Sequence, residues 1–387
     1  MKELNDIKIL TTDAQSRIGL YAIRYLGMAG YTITSIGAGR TISDPIGFYS
    51  RYVNKTVLIS SILYKEEFEK FLIKNHYQYD LIVPIFTSSM RIFLDIKDKI
   101  NIKCKFLLPK KESLLIADNK QLLAKHAQKV GLLCPKTYTN IDPNKVKELL
   151  YHDLSFPAII KFRGDQRATH WRPEDRYRIV YNKSELVEHY KRMHEIENYP
   201  IIQEYISGVG CGYFALYDSN GQLKAEFCHK RVREYPISGG PSSCCESFYN
   251  EQLVNIGRRL FSSLEWSGLG MVEFKYDINR QKFYIIEVNP RYWGSLPLAV
   301  CSGVNFPVLH AMSALGFNFN PVLTWKEGVK VRFLDKDLFS IIALIKNEKR
   351  ISKKFRLLFE ILNPTLKDGL MIFNDPMPII HCLFHKN

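Results

Sequence analysis

The run Tyr284-Ile285-Ile286-Glu287-Val288-Asn289-Pro290-Arg291-Tyr292-Trp293-Gly294 constrains this chain more than any other stretch. Its apolar residues read as a strand, and alternate strand side chains face opposite ways, so Glu287 and Asn289 project to one side. Pro290 has no amide N–H to extend the ladder, which leaves Arg291 at the strand's mouth. A second apolar run, Gly270-Met271-Val272-Glu273-Phe274-Lys275, also carries a carboxylate inside it. A charge in such a setting is costly unless it is paired or metal-bound. Either acid taken singly reads as a solvated strand residue balanced by Lys275 or Arg291. Both strands together, followed by Asn-Pro-Arg, point to a site for a hard, oxygen-seeking cation and a phosphoryl group clamped by the guanidinium.

The region before these strands alternates apolar runs with helical ones. Ile7–Leu10 reads as a strand, Thr11–Ser16 as a turn, and a helix runs on through Met28. A β-rich run, Tyr31–Ile36, follows, with further strands at Leu81–Pro84 and Phe106–Pro109. That order predicts a parallel, Rossmann-like α/β unit. Gly19 stands alone after the first strand, while Gly37 and Gly39 follow the second, so no GxGxxG is present and an NAD site is rejected. A helix is expected from Asp118, as its N-cap, to Gly131. Strands are then expected at Phe156–Phe162, Ile201–Ile206, Gly212–Tyr217, Gly270–Tyr276 and Phe283–Val288, with a helix at Leu253–Leu264 between them. This mixture predicts an α+β core.

Composition limits the alternatives. Of 387 residues, 46% are hydrophobic and 24% charged, which excludes wholesale disorder. Lys and Arg number 54 against 39 Asp and Glu, a net charge of +15 that favours anionic partners. Apolar runs such as Leu338–Ile345 fall short of the ~20 residues of a membrane-spanning helix. The opening Met1–Asp6 is too polar for a secretion signal, and the cysteines show no CxxC or Cys/His spacing, so a cytoplasmic protein with reduced thiols is expected. After Trp325, basic residues (Lys346, Lys349, Arg350, Lys353, Lys354, Arg356) alternate with apolar ones. A helix packed on the body is favoured there over a membrane-surface or partner helix.

With these residues in hand, the segment around Glu273 and Glu287 resembles the signature of the ATP-grasp superfamily, in which a carboxylate strand precedes a Glu-x-Asn-x-Arg strand. The likeness covers about residues 117–311. It implies an α/β N-terminal Rossmann-like domain (1–112), an α+β ATP-grasp domain (113–325) and a short basic helical tail (326–387). The resemblance implies that Glu273, Glu287 and Asn289 hold Mg²⁺ (or Mn²⁺) on the ATP phosphates and that Arg291 stabilises phosphoryl transfer. By the same likeness Lys120 and Lys161 contact phosphates, and the segment Gln203, Glu204, Tyr205 and Ile206 grips adenine through its backbone. The family's glycine-rich flap is here Phe162–Ala168, with a single glycine, where Arg163 and Arg167 are candidate phosphate or substrate contacts. The acid that often binds ribose is here Gly210.

The stretch His229–Pro236 followed by Ile237–Ser243 carries Lys230, Arg231 and Arg233. Arg231 and Arg233 alternate onto one strand face, and the Gly239-Gly240 loop offers N–H groups to an anion, which suits a substrate carboxylate. An RNA-binding loop ranks lower because stacking aromatics are sparse, and no nucleic-acid partner is expected. The run most resembles carboxylate–amine ligases: a carboxylate attacks the γ-phosphorus to give an acyl-phosphate, and an amine displaces phosphate. Small-molecule acid and amine are the implied partners, and the resemblance implies a homodimer through the α/β domain. A bicarbonate-using carboxylase-type enzyme and a nucleotide-binding regulator or scaffold without catalysis are the alternatives.

Overall fold

The computed structural model describes residues 3–41, 44–97, 104–151, 154–163, 177–237, 239–361, 363 and 366–384. Three sheets organise them. The first is parallel, in the order β3-β2-β1-β4: β1 (Lys8–Thr11), β2 (Thr32–Gly39), β3 (Lys55–Ser60) and β4 (Leu81–Val83). Helices α1 (Arg17–Met28), α2 (Tyr64–Asn75) and α3 (Thr87–Lys97) connect and cover it. Ser16 caps α1 by accepting from the Gly19 amide at 2.9 Å, as the turn before that helix leads one to expect. Gly37 and Gly39 lie inside β2 rather than after it, because β2 pairs with β3 through both, and an ideal Cβ on Gly37 would sit 2.6 Å from the Pro45 ring. Phe106–Pro109 is not a strand; only Lys105 forms a bridge, to Leu81, and Pro109 has no N–H to continue pairing.

The helix expected over 118–131 is α5 (Lys120–Lys129), one residue later at its start, and another helix, α4 (Lys111–Asp118), precedes it. The cap is Asn119, which accepts from the amides of Gln121 and Leu122 at 3.0 and 3.1 Å. Asp118 instead turns its buried carboxylate to Arg91.

The second sheet is antiparallel, ordered β5-β8-β6-β7: β5 (Thr137–Tyr138), β6 (Ala158–Lys161), β7 (Tyr177–Val180) and β8 (Ile201–Glu204), with α6 (Lys183–Ile196) on one face. Its small core is Ala158, Ile160, Val180, Leu186, Tyr190 and Ile202 among others. The third sheet has seven strands, ordered β13-β12-β9-β10-β11-β14-β15: β9 (Val209–Tyr217), β10 (Leu223–Glu234), β11 (Ser242–Ser247), β12 (Gly268–Asp277), β13 (Lys282–Asn289), β14 (Lys330–Arg332) and β15 (Lys367–Asp368). One face packs on α5 and on α7 (Glu251–Ser263) through Tyr213, Phe261, Trp266 and Val272.

The other face holds the main core. There Phe214, Phe227 and Met271 join α8 (Leu296–Cys301), α9 (Phe306–Leu315) and, from the parallel sheet, Ile9, Leu20 and Val83 in one continuous cluster. The chain ends in α10 (Leu334–Asn347), α11 (Ile351–Ile361) and α12 (Met377–Phe384). The last part folds back onto the first sheet. Arg24 of α1, fully buried, donates from Nε to Asp375 at 2.8 Å and from its two Nη atoms to the carbonyls of Leu370 and Asp375 at 2.6 and 2.7 Å. His381 stacks on Tyr49 at 3.9 Å.

Candidate active site

Strand register assembles the acids. Glu273 on β12 lies directly opposite Glu287 on β13, and Met271 opposite Asn289, so all four point from the same face. Like charges directly opposite on an antiparallel pair, with Cβ atoms about 5 Å apart, repel. Asn289 bridges them: its Nδ2 donates to Oε1 of both Glu273 and Glu287 at 3.3 Å. Burial pushes the Glu273 carboxyl up, and the neighbouring Glu287 adds to the shift while Arg231 opposes it. Among the described residues no group of three or more His, Cys, Asp or Glu could hold a metal ion. A cation here would therefore be held by two carboxylates and an amide oxygen. Those donors fit a hard cation of the Mg²⁺ class, once a half-turn of the Asn289 amide presents Oδ1 in place of Nδ2.

Cations surround this pair. Lys120, the first residue of α5, reaches Glu287 at 3.2 Å. A lysine there opposes the helix dipole, which favours acids at an N-terminus. Arg231 on β10 donates to Glu273 Oε2 at 2.5 Å, to Glu234 at 3.1 Å and to the Gly240 carbonyl at 3.3 Å. Lys161, at the end of β6, feels Lys120, Glu287 and Glu273 across the gap between sheets, and burial first, then Lys120, brings its ammonium down to about 8. Arg291 donates to the Tyr292 carbonyl at 3.0 Å and lies over the Phe86 ring at 5.7 Å, so the loop after β4 of the first sheet borders the site. The segment behind Arg291 is fixed by buried His310, whose ring bonds the Tyr292 hydroxyl and the Leu107 carbonyl, each at 2.9 Å.

Other expected positions lie elsewhere. Lys230 and Arg233 are not brought to the acids. Lys230 faces the opposite side of β10 from Arg231 and pairs with Glu246 at 3.3 Å. Arg231 pairs with Cys245 but Arg233 with its neighbour Cys244, a bulge that consumes Val232 and turns Arg233 to the other face. There it forms a two-pronged bond to Asp337 at 2.7 Å and a second contact to Glu360. The Gly-Gly loop does not offer free amides: both Gly239 and Gly240 donate to the Pro236 carbonyl. Arg163 is bound to Glu197 at 2.8 and 3.3 Å, while Arg167 and most of the flap lie outside the described residues.

The segment expected to grip adenine forms β8 and the crossing that follows it. Gln203 donates to the Thr137 hydroxyl at 2.8 Å, and its buried Oε1 has no partner among the described residues. The Glu204 side chain is held by Arg280 at 3.0 Å. Tyr205 and buried Ile206 lie in the segment joining β8 to β9, where burial raises the Tyr205 phenol.

Two residues given no role by the sequence reading, His229 and Gly212, share the acidic face with Gly210, the position expected for the ribose acid. His229, two residues before Arg231 on the same strand, is buried, and neither ring nitrogen has a partner among the described residues. Burial takes its imidazole down to about 3, so it is neutral. Its Nε2 lies over Gly212, where an ideal Cβ would come within 3.0 Å, and Gly212 is the register partner of Glu273. At Gly210 an ideal Cβ would meet the Arg231 stem at 2.6 Å and the Glu234 carboxylate at 2.9 Å. The place of a side chain at 210 is thus filled from β10 by Glu234, with Lys275 3.8 Å away. Strand alternation from Arg231 was the signal available for His229; the roles of Gly210 and Gly212 depend on register and left none.

Residues 227–337, which span both acidic strands, match the family model described as ATP-grasp in the biosynthetic pathway with Ter operon. No match was found among curated proteins. Solved structures of similar fold include N5-carboxyaminoimidazole synthetase from Staphylococcus aureus (TM-score 0.67, 13% identity, 89% of this chain and 86% of that one). Another is the biotin carboxylase domain of 2-oxoglutarate carboxylase from Hydrogenobacter thermophilus, in complex with MgADP, ADP and bicarbonate (TM-score 0.68, 15% identity, 84% and 73%). A third is an L-amino acid ligase from Bacillus licheniformis (TM-score 0.62, 14% identity, 85% and 80%). Identities this low establish the fold alone, which is that of these ATP-dependent enzymes, and the ATP-grasp family match covers the stretch that carries both acidic strands.

Proposed function

We propose that this chain is an ATP- and Mg²⁺-dependent ligase that activates a carboxylate as an acyl-phosphate and passes it to an amine, releasing ADP and phosphate. The observation that carries the reading is the convergence of Glu273, Glu287 and Asn289, directly across two strands, with Lys120 and Arg231 already on the carboxylates. The similar solved structures, among them complexes with ADP or MgADP and an L-amino acid ligase, support the same class.

In this reading Glu273, Glu287 and Asn289 would hold Mg²⁺ (or Mn²⁺), which when bound neutralises phosphate charge. Lys120 and Arg231 then exchange the carboxylates for phosphate or substrate oxygens, a trade of one anion for another that leaves each cation paired. Lys161 supplies a further positive charge from the second sheet. His229, neutral and unpartnered, gains its hydrogen bond only when a ligand arrives, so its burial cost is offset in the loaded state. Arg291 and Arg231 hold the substrate carboxylate and the phosphoryl group arriving on it. The carboxylate oxygen attacks the γ-phosphorus as ADP leaves; the amine nitrogen then attacks the acyl carbon, phosphate leaves, and the amine proton passes to solvent or phosphate. Catalysis of this kind is positioning and charge compensation. The Gln203–Ile206 segment borders the adenine, and the work divides among residues 1–112, 113–325 and 326–387.

ADP release in the presence of pooled amino acids and amine acceptors, with product mass spectrometry, tests the reading. Release should require both partners, and Glu287→Ala should lower it by about a hundredfold or more. Full turnover in that variant overturns the metal site. One similar structure holds bicarbonate, so an arm with bicarbonate as the sole acid separates the carboxylase-type reaction from amide formation.

A further inference from the structure

The α10–α11 hairpin presents a surface that the acidic site does not use. α10 seats Asp337, Ser340 and Ile341 against the seven-stranded sheet, and Arg233 ties both helices to β10 through Asp337 and Glu360. No residue of α11 is buried. Its Ile351, Phe355, Leu358 and Phe359 recur at helical spacing and so share a face. They are 70, 57, 47 and 72% exposed. The partly covered side is the neighbouring one, with Leu357, Glu360 and Ile361. The helix is amphipathic, yet its apolar stripe looks outward.

Charge says what meets that stripe. Residues 346–356 contain Lys346, Lys349, Arg350, Lys353, Lys354 and Arg356 against one acid, Glu348. That acid is engaged, 3.5 Å from Lys353 and accepting from the amides of Lys349 and Arg350. Such a surface repels a second copy of itself and attracts an anionic one. The stripe is also short: eleven residues of helix are about 16 Å long, and four side chains cover little of the ~800 Å² per side of a stable protein interface. A lipid surface needs no complementary shape. Exposed aromatic and aliphatic side chains bordered by Lys and Arg, whose stems lie along the interface while their heads reach the headgroups, are what such a surface takes.

We propose that α11 and the turn before it seat this protein on an anionic lipid surface. The apolar stripe enters the acyl boundary and the basic residues meet the headgroups. The proposal uses none of the residues assigned to ligation and stands apart from that reading.

The test is flotation of the full chain with vesicles of phosphatidylcholine alone and of phosphatidylcholine mixed about equally with phosphatidylglycerol. Binding should be about tenfold or more stronger on the mixed vesicles and should weaken at high salt. Phe355→Ser with Phe359→Ser should lower it about tenfold or more, and Lys349→Gln or Arg350→Gln about fivefold each. All four positions are exposed, so thermal unfolding should not change, which separates lost docking from lost folding. Equal binding to both vesicles, binding to neither, or wild-type binding by the Phe variant would overturn the proposal. So would a concentration-dependent dimer that the Phe substitutions abolish while no vesicle binding is seen.

Discussion

Lys161 offers the sharpest test of the phosphate assignment. Its ammonium sits at about 8 against an ordinary 10.5, chiefly because burial disfavours the charge, with Lys120 next. That drop corresponds to about 3 kcal/mol held against the charged form. A phosphate group beside it favours the charged form and returns the value towards 10.5, so nucleotide binding takes up a proton whenever the free protein has lost it. Below pH 8 the lysine is already charged and affinity is flat; above pH 8 each pH unit weakens binding up to tenfold. Between pH 7 and 9.5 the Kd for MgADP should rise about thirtyfold by this linkage. Calorimetry in buffers of different ionisation enthalpy should show close to one proton bound per site near pH 9. Lys161→Arg stays charged throughout and should bind with a flat pH profile and no proton uptake. A flat profile in the wild type, or the same slope in Lys161→Arg, would refute the placement of Lys161 on the phosphates.

Other outcomes follow from the contacts. Arg231→Ala should reduce ADP release about a hundredfold or more, whereas Lys230→Ala, on the far face of the same strand, should change it less than about threefold; equal losses would return Lys230 to the site. Arg24→Ala leaves the buried Asp375 carboxylate without its guanidinium and should cost about 3–5 kcal/mol, read as a lower urea midpoint; an unchanged midpoint would show that the clamp adds nothing. Tyr292→Phe removes the hydroxyl that His310 holds and should cost about 1–3 kcal/mol of stability. If that bond positions Arg291, kcat should also fall with KM for ATP little changed.

The acidic strands were legible because their information is local. Two-residue alternation puts Glu287 and Asn289 together, and a proline ends the strand whatever surrounds it. Lys120 came only from the family likeness, because a lysine near a helix start carries no signal by itself until Glu287 is seen beside it. The failures share one cause. Arg233 was assigned to the face of Arg231 by the same alternation, but a bulge at Val232 reverses it, and a bulge depends on the partner strand. Asp118 looked like a cap, and Asn119 took that place, because Asp118 found a cation on α3 that no local pattern announces. Alternation from Arg231 puts His229 on the same face, but that Gly212, on another strand, leaves its ring room is visible only in the fold.

The bond between Arg24 and Asp375 joins residues 351 apart in the chain. At a ribosomal rate of about 5–20 residues per second, Arg24 waits about 20–70 s after its own synthesis for its partner to emerge. Through that interval the guanidinium lacks its carboxylate, so this clamp contributes to the N-terminal unit only once Asp375 has been made.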